Sequence, residues 1–578
     1  MKSSDYIATF LRDQGIGTVF GYMGGMITHL ADSLDKCQGI QFIQTYHEQT
    51  ASMAAEGYAI GSDGIGCAIS TSGPGATNMI TGIADAYFDS VPVLYITGQV
   101  NSYEYKYDKP IRQQGFQETN VIDIVKSITK YAVLVDDAQN LRYELEKAIH
   151  IAKEGRKGPV LLDITMDVQR ADITPDSMKR FVVPHITQDL QVSHMKDIKY
   201  LIEKSKSPMV LLGGGCQSRK TSELLNEYLS ANQVPVVTSL MGRGVIDETY
   251  KYYVGMVGSY GNRCANITIS QADVLLVLGS RLDTRQTGAK IETFLKGGHI
   301  IHVDIDDNEL KCHRIKNQLH INMLVLDFLR KLKSDNVQFN PSIEWLNYVR
   351  RIRNHYNQNE EITRFVQNKA PYHFIQSLNQ ILEEGDIVTT DVGQNQMWAA
   401  QTVKLKRRMK FITSGGLAPM GYSMPVAIGL NFTDVRHRTY CLCGDGGFHM
   451  SLQALGVIAQ YHLPIKVIIM NNVSLGMITQ FQHLYFKDNM VGTTKEGGYV
   501  VPSFKEMVKA YGIQYARMTK EDLNDSLRFR KIIEGANVIE YFIEGLTTVS
   551  PKLEYNQPIE NPIPFLPDDE RANIQFKA

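Results

Sequence analysis

No stretch of this sequence is apolar for long enough to cross a bilayer, a span that takes roughly 18 to 20 such residues. Neither sign of charge dominates. The 60 lysines and arginines meet 61 acidic residues, for a formal net charge of −1. That balance excludes the broad electrostatic footprint of a nucleic-acid-binding surface. Cysteine is sparse: there are 7, scattered and odd in number, which argues against a disulfide framework and for a reducing compartment. Cys441 and Cys443 form a C-x-C pair inside an apolar run and read as small core residues. The opening Met1-Lys2-Ser3-Ser4-Asp5-Tyr6 lacks the apolar core of a signal peptide, and no short repeat or low-complexity tract occurs. The expectation is a cytoplasmic protein with no membrane and no nucleic-acid partner.

What is present is a rhythm of short apolar runs and helical patterns over 578 residues, enough for roughly three or four domains of about 150 residues each. Residues 1–175 alternate strands (Gly17–Gly21, Ile40–Gln44, Gly66–Thr71, Val91–Gly98, Val160–Ile164) with helices. Polar, uneven sequence at 170–200 reads as a linker. A second block, 190–335, carries Pro208–Gly215, Pro235–Thr238, Val274–Gly279 and His299–Asp304 as strands. Charged sequence at 336–370, helical around Trp345 to Arg353, reads as another linker. The third block, 365–545, carries Ile387–Asp391, Thr439–Cys443 and Ile465–Met470. Strands alternating with helices predict α/β architecture: three doubly wound domains, each with a parallel sheet covered on both faces. The tail, 546–578, holds Pro551, Pro558, Pro562, Pro564 and Pro567. It is expected to be irregular, wrapping the surface or mobile.

The sharpest chemical signal is Gly444-Asp445-Gly446 after one strand of the third block and Asn471-Asn472 after the next. Two such loops offer a carboxylate and an amide at the carboxyl ends of neighbouring strands. Magnesium is commonly held by one or two protein oxygens plus substrate phosphates. In the first block Glu48 stands between a strand and a small-residue helix, where a partly buried carboxyl suits proton transfer. A helix-start acid favoured by the dipole is the plainer reading. Gly73-Pro74-Gly75-Ala76-Thr77-Asn78 follows a strand and opens a helix, and its glycines permit close approach of a backbone or a ligand.

In order along the chain stand Gly24-Gly25, His47-Glu48-Gln49, Thr71 to Asn78, Phe116-Gln117-Glu118, Gly158-Pro159-Val160, Leu240-Met241-Gly242, Asp391-Val392-Gly393-Gln394, Ser414-Gly415-Gly416-Leu417, Met420-Gly421-Tyr422, the Asp445/Asn472 pair and Gly476-Met477-Ile478-Thr479-Gln480. This set, over residues 1–545, resembles the acetolactate (acetohydroxyacid) synthase branch of the thiamine diphosphate (ThDP) enzymes. The resemblance implies a pyrimidine-binding, a central and a diphosphate-binding domain. It implies Glu48, Gln117 and Arg285 as catalytic: Glu48 on the aminopyrimidine of ThDP, Arg285 on the carboxylate of the second 2-oxoacid. It implies Asp445, Asn472 and the Ser474 carbonyl as Mg2+ ligands. Around ThDP it places Gly25, Thr71, Pro74, Asn78, Val392, Gly393, Gln394, Asn395, Ala418, Gly446, Gly447, Gly476, Met477 and Ile478, with Met420 propping the bent cofactor. FAD, in a structural role, would lie on Gly213, Gly214, Thr238, Leu240, Met241, Gly258, Arg281, Asp304 and Ile305. Glu48 and the metal motif meet across a subunit interface in relatives, so a homodimer or homotetramer is implied. A small regulatory subunit is a further possible partner, and 2-oxoacids are the substrates.

Departures from the family pattern fall on the substrate side. Met23 and Met26 stand where the family has proline and a small alanine. Phe481 replaces a tryptophan associated with 2-oxobutyrate as acceptor, Thr165-Met166 replaces Pro-Lys, and Arg112-Gln113-Gln114-Gly115 is unusual. Asn395 stands for a common histidine and still donates a hydrogen bond. The implied reaction is decarboxylation of pyruvate followed by carboligation, in the branched-chain amino-acid pathway. An aldehyde or keto-sugar nucleotide as acceptor, simple decarboxylation, and a non-catalytic assembly subunit are the alternatives. The last would be marked by loss of Glu48, Asp445 or Asn472, all of which are present.

Overall fold

The computed structural model describes residues 1–184, 192–316, 318–433 and 437–576. Its strands form three six-stranded parallel sheets. The first contains β1 (Thr18–Gly21), β2 (Gln41–Gln44), β3 (Gly66–Ser70), β4 (Val93–Gln99), β5 (Tyr131–Val135) and β6 (Val160–Thr165), in the order β2-β1-β3-β4-β6-β5. The second contains β7 (Pro208–Leu212), β8 (Val236–Thr238), β9 (Tyr253–Met256), β10 (Val274–Leu278), β11 (His299–Asp304) and β12 (Gln318–Asn322), in the order β12-β11-β10-β7-β8-β9. The third contains β13 (Ile387–Thr390), β14 (Lys410–Thr413), β15 (Thr439–Gly444), β16 (Ile465–Asn471), β17 (Tyr515–Met518) and β18 (Val538–Phe542), in the order β14-β13-β15-β16-β18-β17. Helices cover both faces, so central strands such as β4 and β10 are buried at every position and read as continuous apolar runs. Cys441 and Cys443 are core residues of β15.

Each sheet has a central point where its winding reverses: between β1 and β3, between β7 and β10, and between β13 and β15. Loops leaving in opposite directions at such a point open a crevice at the carboxyl ends of the strands. The first and third units are locked together by the helices Glu48–Ser62 and Ser423–Asn431. Glycine is required at their crossing: a Cβ on Gly57 would lie 2.2 Å from the Val426 carbonyl oxygen, and one on Gly429 would lie 1.8 Å from that of Ala54. One apolar core runs across this contact, from Ala54 and Tyr95 to Ile428 and Val467.

One expectation is corrected, and of the two alternatives for the tail the first is found. The 336–370 segment is packed structure: helices Ile343–His355 and Gln358–Phe365 bury Trp345, whose indole donates to the Pro208 carbonyl at 2.9 Å. The tail wraps the molecule. It seats Ile559 and Leu566 in the middle core and packs Phe576 on Trp345 and Tyr348. The buried Arg263–Glu361 ion pair, 2.7 Å, binds it further, because Arg263 also donates to the Pro562 and Pro564 carbonyls. Residues 185–191 of the 170–200 linker lie outside the described residues. Among the described residues no helix is long and apolar enough to cross a membrane.

Candidate active site

The β1/β3 crevice gathers Gly25, Glu48, Thr71, Pro74, Asn78 and Gln117. Glu48 is the first residue of its helix, behind an N-cap His47 whose Nδ1 accepts from the Gln49 amide. Its carboxylate is buried, and Asn78 Nδ2 donates to Oε2 at 2.9 Å. A Cβ on Gly75 would lie 3.1 Å from Glu48 Oε1 and 2.8 Å from Thr71 Cγ2, so only glycine leaves this space open. The Gly24-Gly25 loop lies against Thr71, whose Oγ1 accepts from the Met26 amide at 3.2 Å. Gly73, at φ +62°, faces the Gln117 carbonyl, and Gln117 is itself left-handed at φ 62°. Pro74 opens the helix Pro74–Asn78.

Sequence reasoning missed what holds Gln117 there. Glu118 is buried and accepts from the Lys106, Gln114 and Gly115 amides at 2.8, 2.7 and 3.0 Å. It ties the 106–118 loop to itself. The Phe116-Gln117-Glu118 motif was visible in the sequence, but not this role.

The β13/β15 crevice gathers the second set. Asp445 is buried at the end of β15, and its carboxylate accepts from the Gly446 amide (2.7 Å), the Ser474 amide (3.1 Å) and Tyr499 Oη (3.0 Å). Burial pushes its pKa up to about 6, and these bonds hold it from rising further. Asn472 Nδ2 donates to Thr547 Oγ1 at 2.8 Å and to Gln394 Oε1 at 3.3 Å. With the amino end so committed, Oδ1 is the end left for a cation. Gln394 is pinned from the tail as well: Thr547 Oγ1 donates to its Oε1 at 2.6 Å, and its Nε2 donates to the Thr547 carbonyl at 2.9 Å. A Cβ on Gly476 would lie 2.1 Å from that same Oε1. Met477 follows Gly476 in the helix Gly476–Tyr485 and packs on the core, while Ile478 is exposed.

Asp391, at the end of β13, organises the other wall. Its buried carboxylate accepts from the amides of Val392, Gly421 and Ser423 and from Ser423 Oγ, at 2.9 to 3.3 Å. Burial raises its pKa to about 6 against those bonds. The turn it clamps carries Met420, whose Cε comes within 2.8 Å of where a Cβ on Gly446 would stand. A Cβ on Gly447 would lie 2.7 Å from the Asp391 carboxylate. Ala418, left-handed at φ 59°, donates to Ser414 Oγ, which in turn donates to Asp85 of the first unit at 2.6 Å. Gly393 is at φ +142°, with Asn395 Nδ2 3.1 Å from where its Cβ would be, and Asn395 Oδ1 is buried with no hydrogen-bond partner.

These residues fit a magnesium diphosphate. The donors are one carboxylate, one amide and one carbonyl, all hard oxygens. The walls are glycines whose side-chain space is needed, and one buried polar atom lacks a partner. Among the described residues no cluster of three or more His, Cys, Asp or Glu is placed to hold a metal. Neither Glu48 nor Asn78 hydrogen-bonds any member of the Asp445 set.

The β7/β10 crevice opens into a cavity of about 450 Å³ between the three units, lined by Gly214, Leu240, Met241, Arg281, Arg285, Asp304 and Ile305. Gly213, Thr238 and Gly258 stand behind its wall. A Cβ on Gly213 would lie 2.1 Å from the Gly279 carbonyl, and one on Gly258, at φ +123°, would lie 2.5 Å from the Arg285 carbonyl. Thr238 is buried with its hydroxyl on Tyr253 Oη at 3.2 Å.

Comparison with known proteins adds three family matches: the thiamine pyrophosphate enzyme N-terminal TPP binding domain over residues 1–126, the central domain over 195–332, and the C-terminal TPP binding domain over 391–540. The chain is 34% identical over 563 residues to the acetolactate synthase isozyme 2 large subunit of Escherichia coli K12, spanning 95% of this chain and 97% of that protein. It is 33% identical over 540 residues to the acetolactate synthase large subunit of Lactococcus lactis, covering 91% and 90%. It is 34% identical over 544 residues to the chloroplastic acetolactate synthase of Arabidopsis thaliana, covering 91% and 79%.

Proposed function

The chain belongs to the thiamine pyrophosphate enzymes, in the branch of the acetolactate synthases, and from that premise we propose that it decarboxylates pyruvate and joins the two-carbon unit to a second 2-oxoacid. With pyruvate as acceptor the product is 2-acetolactate. The observation that carries this reading is the convergence of Asp445, Asn472 and Ser474 with Gln394 and Gly476 in the β13/β15 crevice. Bound thiamine diphosphate supplies the carbon nucleophile and the electron sink for decarboxylation.

The protein's own groups bind, orient and move protons. Asp445, Asn472 Oδ1 and the Ser474 carbonyl hold Mg2+, and Val392, Gly393, Asn395, Gly446 and Gly447 receive the diphosphate. Met420 props the cofactor. Glu48, with Oε2 taken by Asn78, exchanges a proton through Oε1. Gln117 faces the substrate, and Arg285 takes the acceptor carboxylate in a bidentate fork. The β7/β10 cavity takes FAD in a structural role. In the family resembled, the counterparts of Glu48 and the metal motif meet across a subunit interface, and on that ground the working unit is at least a dimer, each site drawing on two chains.

Product analysis with pyruvate, Mg2+ and ThDP tests the reading. Acetolactate is expected. Acetaldehyde would move the protein to the simple decarboxylases, and no consumption of pyruvate would overturn the proposal. A purified protein without flavin absorbance would remove FAD from it, and a monomer by sedimentation would remove the shared site.

A further inference from the structure

Lys552 lies in the tail, where its backbone pairs with Ile563 in both directions: Lys552 N to Ile563 O at 3.1 Å and Ile563 N to Lys552 O at 2.8 Å. The main chain therefore anchors this part of the tail without the side chain. That side chain is nonetheless enclosed, with the residue only 8% exposed. Among the described residues no carboxylate pairs with the ammonium and no hydrogen bond leaves Nζ. Its contacts are two aromatic rings, Tyr485 at 5.0 Å and Phe481 at 5.7 Å from the centroids. Burial lowers its pKa, and Glu554 acts against that. Enclosed charges are ordinarily paired, and ring faces replace only part of the lost hydration.

Its position gives the want of a close ion pair a meaning. Leu553, the next residue, donates its amide to the Ser259 carbonyl at 2.6 Å, and Ser259 donates to the Arg285 carbonyl at 2.6 Å. Tyr260, whose phenol burial pushes up in pKa while Arg285 pulls it down, stands within electrostatic reach of both Arg285 and Tyr485. Arg285 and Tyr260 line one cavity, Tyr260 lies within electrostatic reach of Tyr485, and Tyr485 and Phe481 face Lys552, so the five residues are neighbours. Phe481 and Tyr485 are about half exposed, so the group opens to solvent. Phe481 lies on the helix whose first residue, Gly476, touches Gln394 and Asn472.

We propose that Lys552 is the second anion subsite of the acceptor pocket, and that the enzyme selects acceptors carrying a negative group, carboxylate or phosphoryl, beyond the part of the acceptor held at Arg285. This rests on the carboligase reading above and deepens it. Pyruvate as acceptor leaves the Lys552 subsite unused, whereas a doubly anionic carbonyl compound fills both ends.

The test uses the full-length enzyme with Mg2+ and ThDP, as wild type, Lys552→Met and Lys552→Arg, with pyruvate as donor. Acceptors are offered in matched pairs: 2-oxoglutarate against 2-oxobutyrate, and glyceraldehyde 3-phosphate against glyceraldehyde. The readout is the ratio of kcat/KM for the acceptor with the extra charge to that for its partner. Losing one charge-assisted contact should lower this ratio about tenfold in Lys552→Met, while Lys552→Arg keeps it. A fall in the first pair alone assigns a carboxylate, and in the second alone a phosphoryl group. An unchanged ratio, or an equal fall for both members of each pair, overturns the proposal, the latter being the mark of a structural lysine. If pyruvate is not consumed, the carboligase reading falls separately. Binding of 2-oxoglutarate and 2-oxobutyrate, followed by intrinsic fluorescence, then decides. Tighter binding of the dianion in wild type, lost in Lys552→Met, sustains the subsite, and equal binding refutes it.

Discussion

Thr547 is the tail residue that orients Asn472, a proposed cation ligand, and Thr547→Val is the sharpest probe of that proposal. Valine keeps the shape and removes the hydroxyl. Two bonds are lost: the 2.8 Å bond from Asn472 Nδ2 and the 2.6 Å bond to Gln394 Oε1. What remains between those two amides is their own 3.3 Å contact. A typical net hydrogen bond is worth about 1 kcal/mol, and a stranded buried polar group costs about 1–3 kcal/mol. The loss falls on the orientation of Asn472, because its amino end keeps only the longer bond to Gln394 and Oδ1 is held less firmly. A cost of 1–2 kcal/mol corresponds to roughly 5- to 30-fold weaker apparent affinity for Mg2+ with ThDP. Thr547→Ser restores both bonds and should stay within about twofold of wild type. The reporter is built in: Trp398 is buried and its indole donates to the Thr548 carbonyl at 2.9 Å, one residue away. Titrating Mg2+ at fixed ThDP while following tryptophan fluorescence reads the affinity directly. The reasoning is refuted if valine binds as tightly as serine, or if serine loses as much as valine.

Three further outcomes are expected. Glu48→Gln should cut pyruvate turnover by about 10²- to 10⁴-fold while the Trp398 response to Mg2+ and ThDP persists, and unaltered turnover would exclude the proton-transfer role. Asp163 is buried between Thr97 Oγ1 and Gln99 Nε2, and burial raises its pKa to about 7. Its contribution is present below the unfolded carboxyl range near pH 4 and is lost as pH rises through about 7. Asparagine can accept from Gln99 and donate to the Thr97 hydroxyl, so Asp163→Asn should raise the Tm at pH 8 and leave it nearly unchanged at pH 4. An equal shift at both would show that charge is not the cause. Gly429→Ala places a Cβ 1.8 Å from one backbone oxygen and 2.7 Å from the Tyr58 amide nitrogen, an overpacking worth about 1–3 kcal/mol or more. Gly535→Ala, with nothing within 4 Å, is the control and should be neutral or mildly stabilising in the same thermal scan.

Legibility in the sequence followed burial. β4, β10, β15 and β16 are enclosed and read as apolar runs. The strands that pattern reading passed over are mostly edges: β5, β9, β12, β14 and β17 all lie at a sheet margin. Of these, β12 and β17 are partly solvated and mix polar with apolar residues, while β9 and β14 are largely buried but only 4 residues long, too short to show a period. β18 is interior and was hidden by Glu540, a carboxylate in mid-strand that is satisfied by Asn471 Nδ2 at 2.8 Å and by the Tyr515 hydroxyl. The site was legible in the same uneven way. Asp445 and Asn472 stand in a motif whose spacing points to a cation, whereas the role proposed for Glu48 came from the family resemblance. Thr547, Tyr499, Asp391 and Glu118 act through bonds to residues distant in sequence or through backbone amides; no local pattern marks the first two, and the motifs that contain the last two do not disclose those bonds.

By itself, the sequence determined three parallel α/β units and the absence of long apolar spans, which follow from period and composition, properties of neighbours along the chain; its ordered motifs carried the resemblance from which the proposed cation, diphosphate and proton-transfer residues are taken. Tertiary structure alone decided the strand order, and with it that each motif opens at a point where the winding reverses. It also decided that the proline-rich tail comes back to orient Asn472 and to place Lys552 beside Phe481 and Tyr485. The physical reason is that hydrogen bonds and enclosed charges are satisfied by whatever the fold brings near, and nearness in space is not written in local sequence.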